Sequence, residues 1–263
     1  MVLQVKLNSM NFSFDAKSLK DSLHNILSDV LHDAALNGRS ADDENMKSFN
    51  SMIAAMEQAI DVMQSADTAG TEQQRVSERY IGGLEVEDVS RIGGYALELI
   101  ENLVVFLQNI SGEQNMDLLD LSLPVSLWVA HHGGRLSQID MQVNSLAAYA
   151  NQTTDTRKLV ELSNVMKAII NACDDEIRRD VEQSNRMRPW RILNLNYGIV
   201  ATRSHQPEII EQAYDILIKN LPQDARSFFR EGAQQMDIIG YPDEVRRVVE
   251  RYNKMWGSDS SLH

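Results

Sequence analysis

Apolar residues in this chain recur in alternating steps of three and four, the spacing that lines one side of an α-helix. Met46, Phe49, Ile53, Met56, Ile60 and Met63 form one stripe. A second runs Val89, Ile92, Ala96, Leu99, Leu103, Phe106 and Ile110, and a third runs Leu159, Leu162, Met166, Ile169, Cys173 and Ile177. A weaker one is readable at Leu19, Leu23, Ile26, Val30 and Ala34. Each gives a helix an apolar face that must be buried against other helices. The third predicts a helix over residues 157–183, roughly 40 Å long at 1.5 Å per residue. Alternation of the kind that builds strands is confined to Leu3, Val5 and Leu7. So short a segment pairs with a partner chain or lies extended. The expected fold class is all-α: an irregular antiparallel helical bundle or an array of α-α repeats.

Prolines punctuate this pattern. Pro124, Pro189, Pro207, Pro222 and Pro242 each read as the first residue of a helix, where the missing N–H is lost to no hydrogen bond and the fixed φ is already helical. The last four stand 18, 15 and 20 residues apart. That spacing predicts helices of three to four turns joined by short loops, so consecutive helices are antiparallel neighbours. Residues 37–45, 65–74 and 111–117 and the tail GSDSSLH lack periodicity and read as loops. One domain over 1–263 is the expected organisation. A boundary at 111–117 would instead part an acidic segment, 1–110, from a helical array, 118–256, and a tail, 257–263.

In the helix opened by Pro189, the residues Trp190, Leu193, Asn194 and Tyr197 follow W-x2-L-G-x2-Y with Asn194 in place of the glycine. This resembles the first helix of a tetratricopeptide repeat. The resemblance implies a helix pair in which Ala213 supplies the small residue of the second helix, seven residues beyond the family's spacing. It covers one helix and has no second copy, so it speaks for a way of packing helix pairs and not for membership.

Charge narrows the partners. The net charge is −13, but residues 178–263 hold 13 Lys and Arg against 12 Asp and Glu, leaving 12 against 26 in residues 1–177. Such a field repels polyanions, so nucleic acid is not an expected partner. No apolar run is longer than that from Leu103 to Leu107, far short of the roughly 20 residues that cross a bilayer. The first residues have no apolar run or cleavage site of a secretion signal. With Cys173 as its one cysteine, the chain is expected in the reducing cytoplasm.

Several clusters could carry chemistry. His131 and His132 precede Gly133 and Gly134 and could form a polar pocket. Adjacent helical residues point about 100° apart, however, so the pair does not chelate one metal. If the helix runs on through the glycines, His132 joins the core stripe Val125, Val129, Leu136, Ile139. Asp21 with His24 and Asp29 with His32 have carboxylate–histidine spacing but fall on the polar face of the first helix. No metal site and no cofactor is therefore expected. The glycine pairs, 82–83, 93–94 and 133–134, stand in no phosphate-binding frame and read as close packing or helix ends. Cys173, on an apolar stripe, reads as a buried thiol.

The densest cluster is the arginine-rich stretch 186–209. Arg186, Arg188 and Arg191 surround a helix start, and Arg203 and His205 border the next loop. Free N–H groups and guanidinium forks together make an anion site. The competing reading is salt bridging to nearby carboxylates and helix capping. Two functions follow. The first is a non-enzymatic, all-helical interaction or regulatory module whose C-terminal helix pairs hold a protein partner, acidic in the arginine-centred version, through Arg186, Arg188, Trp190, Arg191, Tyr197, Arg203 and His205. The alternative is an enzyme or binding protein that takes a small phosphorylated or carboxylate anion in a pocket of Arg and His side chains.

Overall fold

The computed structural model describes residues 12–38, 43–73, 84–113, 115–181 and 183–257. Leu3, Val5 and Leu7 lie outside them. The fold is all-α. Its helices are α1 (Ala16–Leu36), α2 (Asp43–Gln73), α3 (Val86–Ser111), α4 (Met116–Asp120), α5 (Ser122–His131) and α6 (Asp140–Gln152), followed by α7 (Thr156–Ala172), α8 (Asp175–Arg178), α9 (Pro189–Arg203), α10 (Pro207–Asn220), α11 (Pro222–Ile239) and α12 (Asp243–Tyr252). A π-helical turn, Asn253–Gly257, follows α12. No described helix is long and apolar enough to cross a membrane. The chain gathers into two compact units, residues 1–145 with 171–174 and residues 146–170 with 175–263. The segment 111–117 lies inside the first.

In the first unit the amphipathic stripes become the core. Asp15 caps α1 by accepting from the Ser18 N–H at 2.8 Å, and the helix buries Leu19, Leu23, Leu27 and Ala34. Phe49, Met56, Ile60 and Met63 of α2 are buried, with Phe49 stacked on Phe106 of α3 at 4.5 Å between ring centres. α3 ends at Gly112, whose left-handed φ of 82° suits glycine. Packing between α3 and α5 explains two glycines of the pairs. A Cβ on Gly93 would land on the Cγ2 methyl of Val129, and one on Gly134 would stand 2.7 Å from Val89. Gly93→Ala is therefore expected to lower unfolding stability by about 1–3 kcal/mol through overpacking. Gly94→Ala, which meets nothing within 4 Å, should be neutral or slightly stabilising because alanine favours helix. Urea unfolding of the two variants checks the contrast, and equal midpoints would contradict it.

Several elements differ from the sequence expectation, and the loop expected over 37–45 is already helix from Asp43. The stretch 65–74 is helix as far as Gln73, with Ala66 buried and the hydroxyls of Ser65 and Thr68 satisfied by the Asp61 and Gln64 carbonyls at 2.8 and 2.7 Å. α5 does not continue through the glycines, because Gly133 takes a φ of 71° and His132 becomes the C-cap. α7 stops at Ala172, making it roughly 26 Å long. There the chain turns into a parallel bridge between Cys173 and Leu136, with Leu136 donating to the Ala172 carbonyl at 2.8 Å and Asp174 donating to the Leu136 carbonyl at 2.9 Å. The apolar stripe runs past the helix end because the bridge keeps Cys173 buried.

The second unit is ordered by its prolines. Pro189, Pro207 and Pro222 open α9, α10 and α11 at the first helical position. Pro242 instead caps α12 from one residue outside. In the first unit, Pro124 is the third residue of α5 and not the first, a position whose N–H also lacks an intrahelical acceptor. The core of the second unit gathers Ile210, Tyr214, Leu217, Phe229, Val245 and Tyr252. Tyr214 meets Phe229 and Tyr252 edge-on at 4.9 and 5.1 Å, and its hydroxyl shares a buried 2.7 Å hydrogen bond with Thr202. α9 packs against α10, and Ala213 of α10 is buried. Asn194 is buried, donating to the Trp190 carbonyl and accepting from Asn220, both at 2.8 Å. The close approach of α9 to α11 falls at Gly198, where a Cβ would stand 2.6 Å from Phe228.

Candidate functional site

The arginines sit where helix starts and ends need them. Between α8 and α9 the chain turns at Asp180, a non-glycine residue with a φ of 48°. Its buried carboxylate accepts Nε and Nη2 of Arg188, the latter at 2.8 Å. Nη1 of Arg188 donates to the carbonyls of Gln183 and Asn185 at 3.1 and 2.9 Å. One guanidinium thus organises the turn that feeds α9, and the hydrogen bond to Asp180 raises its pKa above the ordinary arginine value. Arg191 is bound in the same way. Its Nε and Nη2 lie 2.8 and 2.7 Å from Asp224 Oδ1, and Nη1 donates to the Arg186 carbonyl at 3.1 Å. Arg203 closes the end of α6, donating to the carbonyls of Ala150 and Thr153 at 2.7 and 2.6 Å.

The other residues of the stretch divide between core and surface. Trp190 is 4% exposed and Tyr197 1%. Burial pushes the Tyr197 phenol up to about 12. Arg186 is exposed. His205 is half-buried with a φ of 59°, and its ring stands edge-on to Tyr241 at 5.4 Å. Arg188, Arg191 and Arg203 hold internal partners, and the two aromatic rings face inward.

The histidine pair also separates. His131 is exposed. His132 packs on Trp128 with ring centres 4.7 Å apart. Its Nε2 lies 3.0 Å from Asp67 Oδ1 and its Nδ1 lies 2.8 Å from the Trp128 carbonyl. Asp67 also accepts from Trp128 Nε1 at 2.9 Å. Both ring nitrogens face acceptors. The arrangement ties α2 to α5 and leaves neither nitrogen for a metal or a substrate proton. Sequence reasoning missed Asp67 because it lies in a stretch without apolar periodicity. On α1, His24 Nε2 lies 2.9 Å from Glu57 of α2, while Asp21, Asp29 and His32 are exposed. No cluster of three metal-ligand side chains occurs among the described residues.

Two surface features were not legible beforehand. In the first unit a cavity of about 620 Å³ opens between the C-terminal ends of α1 and α3, lined by Val30, Asp33, Asn37, Ser111, Glu113 and Asn115. In the second unit, Ile238 and Ile239 close α11 while 76% and 60% exposed. Gly240 then turns the chain with a φ of 75°, and Tyr241 follows. The contact between Tyr241 and His205 joins this corner to the loop between α9 and α10. Comparison with protein-family models, with curated proteins and with solved structures gives no match to this chain.

Proposed function

We propose that the protein is a non-enzymatic, all-helical interaction module whose binding epitope lies on the C-terminal helix array, at the corner formed by Ile238, Ile239, Tyr241 and His205. One observation carries the reading: two adjacent isoleucines are displayed to solvent at a helix end, beside an aromatic pair held by the backbone turn at His205. Exposed apolar side chains grouped with aromatic residues are the usual centre of a protein interface. The left-handed turn at His205 adds to this, since strained non-glycine backbone persists where surrounding structure holds it and concentrates at binding sites. Arg188, Arg191 and Arg203 already bind Asp180, Asp224 and the end of α6, which favours an apolar epitope over an anion pocket.

Proximity labelling in the native cell tests this. The wild-type chain should enrich a defined protein that Ile238→Ser with Ile239→Ser loses, while the melting temperature of the variant stays within about 2 °C of wild type, as expected of exposed positions. An unchanged labelling profile would remove this corner as the epitope.

A further inference from the structure

We propose that Asn37 and Gly38, at the end of α1, form a site of spontaneous covalent change, where the chain converts its own asparagine to aspartate and isoaspartate. Asn37 is the one asparagine of the chain followed by glycine. Both residues are exposed, Gly38 holds a φ of 69°, and a Cβ built on it would meet nothing within 4 Å. The amide nitrogen of Gly38 thus has no side chain of its own residue, and no neighbour beside it, to block a close approach. Asn50 and Asn144, which precede serines, stand instead inside α2 and α6, where the helix restrains the amide that follows. Two hydrogen bonds hold Asn37 and Gly38 in the native turn. Asn37 Nδ2 donates to the Asp33 carbonyl at 2.8 Å, and the Gly38 N–H donates to the Ala35 carbonyl at 3.0 Å. Both belong to the last turn of α1, and helix ends open at little cost in free energy.

Once the turn opens, the Gly38 nitrogen gives its proton to solvent base and attacks Asn37 Cγ. The Cγ–Nδ2 bond breaks, ammonia leaves with a proton from water, and a cyclic imide closes. Water then opens the ring: attack at Cγ leaves aspartate, and attack at the main-chain carbonyl leaves isoaspartate, with the chain running through the former side chain. Nothing is oxidised or reduced, and water is the co-reactant. The product differs where α1 ends. The Asp33 carbonyl loses its Nδ2 donor, and a new carboxylate stands at the negative end of the helix dipole, one turn from Asp33, a spacing at which like charges repel. Asp33, Asn37 and Glu113 all line the cavity between α1 and α3, so the conversion adds a carboxylate to that lining.

The test holds the full chain in mildly alkaline buffer and follows its tryptic peptides by mass spectrometry, with isoaspartate labelled by a methyltransferase specific for it. Residue 37 should convert ahead of Asn50 and Asn144 and give both products. Conversion should be faster in urea, where the turn is already open. Asn37→Gln and Gly38→Ala should each lose it over the same period. Asn37→Asp, which copies the charged product, should lower the melting temperature by about 1–3 °C. If Asn37 keeps its amide in the folded chain over a period that converts it in urea, or if it yields aspartate without isoaspartate, the proposal is overturned. An unchanged melting temperature for Asn37→Asp would overturn the effect on the end of α1.

Discussion

Replacing Arg188 with alanine should lower the free energy of unfolding by about 3–5 kcal/mol, the penalty for stranding a buried charge. The Asp180 carboxylate would remain buried, in a residue already held at positive φ, with its two guanidinium contacts gone. The carbonyls of Gln183 and Asn185 would lose their donor as well. Arg188→Lys should recover only part of the loss, since an ammonium cannot reproduce the two-pronged fork or reach both carbonyls in one plane. Removing both partners, with Asp180→Ala added, should be less damaging than the sum of the single changes, because no charge is then stranded. Urea unfolding followed by circular dichroism measures all four chains. A loss below about 1 kcal/mol for Arg188→Ala would place the pair in the class of surface salt bridges and contradict its role in shaping the turn into α9. An arginine that only recruited an external anion would be removable with little loss of fold.

The sequence made the helices legible and the side-chain partners not, for one physical reason. Periodicity reports which face of a helix is buried, and Phe49, Met56, Ile60, Val89, Leu103, Leu159 and Met166 are all in the core. It does not report what the backbone does where a stripe continues beyond the helix. Cys173 keeps the stripe of α7 while belonging to a bridge with Leu136. The converse holds at Ser65 to Gln73, where helix persists without a long apolar stripe and Asp67 finds Trp128 and His132. Charge partners depend on tertiary placement. Arg188 and Arg191 pair with Asp180 and Asp224. Asp224 lies on α11, brought to α9 by the packing of the helix array. The isoleucine corner left no sequence signal, because Ile238 and Ile239 read as an ordinary apolar helix end until their exposure is known.

Trp128 and Trp190 should respond differently to the same substitution. Both are buried, at 1% and 4% exposure, and truncation of either to alanine should cost about 3–5 kcal/mol by emptying a ring-sized volume. Phenylalanine keeps most of the ring but deletes the indole N–H, and there the two sites diverge. Trp128 Nε1 donates to Asp67, which also accepts from His132, whereas Trp190 Nε1 is buried with no acceptor among the described residues. A hydrogen bond to a charged acceptor contributes about 1.5–3 kcal/mol, while deleting an unsatisfied buried donor removes a liability. Trp128→Phe should therefore be more destabilising than Trp190→Phe by about that amount. Asp67→Asn supplies the internal control: it should reduce the effect of Trp128→Phe, since the two changes remove one interaction between them. Equal losses for the two phenylalanine variants would mean that the Trp128–Asp67 contact adds nothing to the join between α2 and α5. The stability of that join would then rest on apolar packing alone.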